Sequence, residues 1–224
     1  MVGSPKPGRS SSLALGEYLL DELARRGWDS ETVNLRRVMS DPDRLRTAAG
    51  GCELLILAYP LYVFGLPAPL VLALERLAEA PRDHDGAEAG AAAPRLVGIV
   101  NCGFPEHAHN DLSIEMCRLF AAQAGWHWSG ALSLGGGGVL NGGPLRERGP
   151  VARSVRRALE LAAEALDDGR DIPEEAVHLM AKPMVPLRIY RWLTNYGWRR
   201  LARSNGVAER LAERPPLAAQ TPEP

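Results

Sequence analysis

Cysteine is scarce in this chain and falls into no pattern. Cys52, Cys102 and Cys117 stand too far apart for a CxxC-type metal or cluster site, and their odd count argues against a disulfide framework. A reducing compartment, the cytoplasm, is the expected setting. Excess charge of one sign is also missing: 26 Lys and Arg face 27 Asp and Glu, a net charge of -1. Nothing in that balance recommends a nucleic-acid partner. No apolar run reaches the roughly 18 residues a bilayer span requires, and no apolar signal region opens the sequence.

What is present suits an α/β protein. With 224 residues, 46% of them hydrophobic and 24% charged, the chain can bury one sizeable core and carry an appendage. Its first informative stretch is Gly3-Ser4-Pro5-Lys6-Pro7-Gly8-Arg9-Ser10-Ser11-Ser12, which opens directly into the helical pattern Leu13-Ala14-Leu15-Gly16-Glu17-Tyr18-Leu19-Leu20. Glycine and small residues let backbone N–H groups face an anion, hydroxyls add donors, and a helix N-terminus adds unpaired amides. The same serines also suit a plain helix cap.

Helix and strand then alternate. Apolar spacing predicts a helix over 10–27, ending at Gly27, then a short strand over Glu31–Leu35 and a short helix over Asp41–Gly50. The continuous apolar run Glu53–Ala58 reads as a strand covered on both faces, followed by a loop, Tyr59–Pro67, and a helix over 67–80. Pro81–Pro94 reads as a flexible excursion, after which strand Leu96–Val100 resumes the alternation. A polar loop at 101–109, a helix over Asp111–Gly125, a strand over 126–134 and a helix over 151–167 complete it. Such alternation implies a parallel sheet with right-handed crossovers, whose ligands sit at the carboxyl ends of the strands. Loops 3–12, 59–67 and 101–109 are expected to meet there.

Three motifs in those loops carry a resemblance. Gly3-Ser4-Pro5, then Tyr59-Pro60-Leu61-Tyr62-Val63-Phe64-Gly65-Leu66-Pro67 before a helix with Glu75-Arg76, then Asn101-Cys102-Gly103-Phe104-Pro105-Glu106, together resemble the NAD(P)H-dependent FMN reductases of the flavodoxin-like superfamily. The likeness covers roughly residues 1–167. It implies a three-layer sandwich around a central parallel sheet, with a truncated first strand and a helical C-terminal extension. It also implies an enzyme that binds FMN, takes hydride from NAD(P)H and passes electrons to a small-molecule acceptor such as a quinone or a flavin. Carried over by position, Ser4, Ser10, Ser11 and Ser12 would hold the phosphate, with Lys6 or Arg9 as counter-charge. Pro60, Leu61, Tyr62, Val63 and Phe64 would flank the ring, and Asn101, Cys102, Gly103 and Phe104 would close its other edge. No side chain is expected to act as a catalyst, because the flavin carries the chemistry. The alternatives are an electron carrier without its own nicotinamide oxidation and a cofactor-free binding protein. Tyr62 and Phe64 also fit ordinary packing over helix 67–80.

The remaining signals are weaker. His107 and His109 have no cysteine or carboxylate cluster at metal spacing and read as a solvated loop, so no metal is expected. Cys102 is either redox-active beside the ring or a buried thiol. The run Gly135–Gly138 suits close approach of a ligand or subunit and equally a mobile loop. The division expected is a flavodoxin-like domain over 1–170, a basic, aromatic helical extension over 171–214 and a disordered tail over 215–224. Residues 186–203 mix aromatics with Arg188, Arg191, Arg199, Arg200 and Arg203 and contain no acid. That composition suits peripheral contact with an anionic membrane or a protein, or a helix folded back on its own domain or on a sister subunit of a homo-oligomer.

Only Met1 and Val2 precede the first loop. In the 2-1-3-4-5 strand order the first strand is interior, so its loss forfeits ~10 kcal/mol of burial, comparable with a whole domain's stability. The expectation is that the true start lies upstream. Otherwise a gap, or a substitute strand, should stand between the second and third strands.

Overall fold

Two stretches of mostly branched apolar residues and a third that alternates polar with apolar become three parallel strands, and the helices between them cover both faces. The computed structural model describes residues 1–6, 8–38, 44–45, 47, 49, 52–78 and 94–213. In chain order the described elements are α1 (Ser11–Ala24), α2 (Leu35–Val38), β1 (Leu54–Pro60), α3 (Ala68–Ala78), β2 (Arg95–Asn101), α4 (Asp111–Gln123), β3 (His127–Leu134), α5 (Arg153–Asp167), α6 (Glu174–Ala181) and α7 (Leu187–Ser204). Short 3-10 turns occupy His107–Asn110, Gly137–Leu140 and Ala208–Arg210, and Leu145–Ala152 holds two more, broken at the non-helical Gly149. Residues Met1–Met184 form one compact unit, and a second begins at Val185.

The sheet order is β1-β2-β3, all parallel, with Pro60 opposite Asn101 and Asn101 opposite Leu134 at the carboxyl edge. Alternate residues point to opposite cores, as the two-residue period of a strand requires. Ile56, Ala58, Val97, Ile99, Leu132 and Leu134 pack under α1 and α5, joined by Ala176 and Met180 of α6. Leu55, Leu57, Tyr59, Leu96 and Val100 pack under α3 and α4.

Most expected elements stand within a few residues of their sequence positions, with β1 and β2 longer by one or two residues at their carboxyl ends. The expected strand at Glu31–Leu35 is a correction. Only Asn34 makes a β-bridge, to Val2, and from Leu35 the chain is helical. The reason lies in its neighbour. Val2 bridges Asn34 on one side and Ala58 on the other, its amide donating to the Val33 carbonyl at 2.8 Å and its carbonyl accepting from the Leu35 amide at 3.1 Å, so among the described residues the pairing is a single bridge and not a ladder. The Met1 α-amine is buried and donates to the Ile56 carbonyl at 2.6 Å, and its burial pushes its pKa down to about 6. Beside it lies a cavity of about 150 Å3, walled by Leu20 and Leu23 of α1, by Trp28 to Val33 and by Leu54 to Ile56. Val2 thus sits between Asn34 and Ala58, in the interior position expected of the first strand, with the cavity beside it.

The expected helix at 41–50 falls largely outside the described residues, although Arg44, Leu45, Thr47 and Ala49 are helical. The excursion at 81–94, apart from Pro94, and the tail at 215–224 also lie outside them.

Tyr59 and Cys117 show how tightly the second core is closed. The Tyr59 hydroxyl donates to the Ser113 carbonyl at 3.2 Å and lies 3.5 Å from the Cys117 sulfur. Burial pushes the Cys117 thiol up to about 11 and raises the Tyr59 phenol as well. Groups whose pKa rises on folding stabilise fully below their ordinary values and lose that stabilisation as pH climbs through the folded value. Urea unfolding should therefore report a loss of about 2–3 kcal/mol between pH 9 and pH 11, and Cys117→Ala should flatten the decline.

Candidate functional site

Ser10 caps α1. Its backbone is extended and its hydroxyl oxygen accepts from the Leu13 amide at 3.1 Å, so the cap expected from the serine run is present. Ser12, buried at the helix start, accepts from the Asn101 side-chain amide at 2.8 Å. Ser11 donates to the Gly137 carbonyl at 2.8 Å. An oxygen that accepts still has its own hydrogen to give, so the Ser10 and Ser12 hydroxyls keep a donor each, whereas the Ser11 hydrogen is committed. Ser4 is buried, and Lys6 and Arg9 are exposed.

Asn101 ends β2 and joins the loops. Its Nδ2 donates to Ser12 Oγ at 2.8 Å and to the Tyr59 carbonyl at 3.2 Å, while its backbone carbonyl accepts from the Leu61 amide at 2.8 Å. One buried side chain thus draws loops 3–12, 59–67 and 101–109 to the same carboxyl edge. A β-carbon at Gly137 would lie 2.7 Å from Asn101 Oδ1, so the glycine-rich segment after β3 also closes on this residue. A β-carbon at Gly142 would lie 3.0 Å from the backbone of Arg9 and Ser10.

The second loop turns sharply. Tyr62 and Gly65 exchange backbone hydrogen bonds of 3.1 and 2.9 Å across Val63 and Phe64, both at positive φ (48° and 61°). Left-handed backbone in a β-branched residue is strained, and Val63 is 96% exposed, so no packing compensates locally. The turn presents Phe64, which stacks on Phe104 with centroids 6.0 Å apart at 12°. His109 lies 4.4 Å from Phe104 and 5.5 Å from Phe64. All three rings form an apolar wall that reaches solvent, with Phe64 and Phe104 about half exposed.

Several expected site residues sit differently from the simple loop picture. Pro60 is the last residue of β1, and Leu61 is only half-buried while Tyr62 is exposed. Cys102 is buried, its thiol donates toward the Phe104 carbonyl at 3.4 Å, and burial pushes its pKa up, as in a core thiol. Gly103 is exposed beside Phe104. His109, expected in a solvated loop, lies against two aromatics, a placement with no short-range sequence signal. The glycine-rich run Gly135–Gly138 folds against the first and third loops. No cluster of three His, Cys, Asp or Glu suited to a metal occurs among the described residues.

The sequence matches no family model and no curated protein. Solved structures do resemble it. One is an NAD(P)H:quinone oxidoreductase from Methanothermobacter marburgensis, with a TM-score of 0.52 and 17% identity over 71% of this chain and 92% of that one. Another is an FMN-dependent NADH-azoreductase from Bacillus anthracis, with a TM-score of 0.49 and 15% identity over 70% of this chain and 92% of that one. The first likeness, together with the parallel sheet and its flanking helices, gives the chain the flavodoxin-like α/β fold expected from its sequence.

Two outcomes test this geometry. Asn101→Ala removes two buried hydrogen bonds and should cost about 2 kcal/mol in urea unfolding, with faster amide exchange in loops 59–66 and 135–138. Val63→Asn, which accepts the left-handed backbone more easily and forfeits no packing, should stabilise by about 1 kcal/mol in the same assay.

Proposed function

We propose that this protein is an FMN-dependent NAD(P)H oxidoreductase that delivers electrons to a small-molecule acceptor. The observation that carries the reading is the carboxyl-edge cluster: a helix N-terminus with two hydroxyls still able to donate, next to an exposed aromatic wall, held together by Asn101. The resemblance of the three loop motifs to FMN reductases points the same way.

The donor set fits a phosphorylated flavin. Backbone amides at the start of α1, with the Ser10 and Ser12 hydroxyls, would receive the phosphate, and exposed Lys6 or Arg9 would supply positive charge from solvent. Glycine at 137 and 142 lets backbone approach closely where side chains would collide. Phe64, Phe104 and the turn at Tyr62–Gly65 would shield one side of the ring and orient an aromatic partner against it. Bound flavin would supply the hydride-accepting and electron-donating chemistry, and this chain's residues would bind it, orient it and exclude water.

Ser10→Asp separates fold from function. Aspartate caps a helix as well as serine does, so stability should hold or rise. Its charge would face the phosphate, and FMN affinity measured by fluorescence quenching should fall by roughly 2 kcal/mol, about 30-fold. A wild-type protein that fails to bind FMN would overturn the proposal. Oxidation of NADH or NADPH by the flavin-loaded protein, with a quinone as acceptor, distinguishes the enzyme from a passive electron carrier.

A further inference from the structure

The C-terminal helix α7 carries more exposed apolar surface than any other described element. Ile189, Trp192, Leu193, Tyr196, Trp198 and Leu201 are each 47–65% exposed, and Trp192 stacks on Tyr196 at 5.9 Å. Its 18 residues also hold five arginines and no acid, in a chain whose net charge is only -1. At about 100° per residue the two kinds of side chain largely separate, with Trp192 and Arg200 as the exceptions. Tyr196, Ile189, Leu193, Leu201 and Trp198 fall along a little more than half the circumference, while Arg191, Arg188 and Arg199 gather with Asn195 on the opposite side. Trp192, between Arg199 and Arg203, and Arg203 itself stand at the boundary next to Tyr196, and Arg200 lies between Ile189 and Leu193, where a long side chain can extend its charge away from the apolar face.

We propose that α7 is a membrane-surface helix that docks this protein on an anionic phospholipid bilayer. Charge complementarity selects the occupant. Positive charge without a single acid on an apolar-faced helix suits anionic headgroups, and tryptophan and tyrosine suit the boundary between headgroups and acyl chains. A second copy of α7 is a poorer occupant, because it would bring five arginines toward five others with no carboxylate on either helix to pair them. The helix lies on the bilayer. None of the described helices is long and apolar enough to cross a membrane. Pro183 and Pro186 interrupt the chain between α6 and α7, so the docking helix starts afresh in the second compact unit. This docking is independent of whichever cofactor the first unit binds.

Flotation of the full-length chain with vesicles tests it. Vesicles of equal parts phosphatidylglycerol and phosphatidylcholine should capture the protein roughly tenfold better than pure phosphatidylcholine, with a blue shift of tryptophan emission. Salt at about 0.5 M should release it. Arg199→Glu with Arg200→Glu, both exposed positions, should abolish capture while leaving thermal unfolding unchanged. Capture that is absent, or equal on neutral and anionic vesicles, would overturn the proposal. So would a dimer in sedimentation that buries Trp192 and Trp198 and excludes vesicles.

Discussion

Asn101 is the constraint on which the working end of this protein depends. A strand's last residue normally hands the chain to a loop and ends its own influence there. Here the side-chain amide reaches back to Ser12 at the start of α1 and across to the carbonyl of Tyr59, while the backbone carbonyl receives Leu61. Each acceptor is buried, so each bond stands where water cannot replace it. Three loops separated by about a hundred residues of sequence thus share one fixed point, and the position of the phosphate-type cradle relative to the aromatic wall follows from it.

The strands and the principal helices were legible because burial on both faces leaves a continuous apolar run, which no turn or surface helix imitates over Leu54–Leu57 or Leu96–Val100. The serine run announced the cap at Ser10 for an equally local reason. The failures share the opposite cause. Glu31–Leu35 has strand composition, but pairing is a property of two segments, and among the described residues the bridge between Val2 and Asn34 is the pairing it makes. Asn101 stood out as a candidate for the ring's edge, but its tie to Ser12 and Tyr59 was invisible, since partners so distant in sequence leave no local signal. The 3-10 turns at Gly137–Leu140 and Leu145–Ala152 obey no periodicity, and their places are set by contacts with loops far away in sequence.

Charge is handled with similar economy on the helical face. Glu22, almost fully buried on α1, meets Arg25 at 2.5 Å and Arg146 at 3.1 Å, and the Arg146 guanidinium lies 4.8 Å above the Tyr18 ring. A buried carboxylate needs such company, and a cation over an aromatic face gains from it. This cluster fastens the segment before α5 to α1, on the side of the sandwich away from α3 and α4.

The threading of the glycine-rich segment has a dynamic consequence. At Gly135 a β-carbon would stand 2.2 Å from the Pro105 carbonyl oxygen, and at Gly137 it would meet Asn101, so this stretch is seated without clearance against the third loop. Glycines lose the most conformational freedom when ordered, and their own sequence gives them little reason to stay so. Their order is borrowed from residues 101–105, and the Ser11 bond to Gly137 extends the loan to the first helix. Loops seated on one another in this way are expected to open together, while the rest of the sheet stays closed.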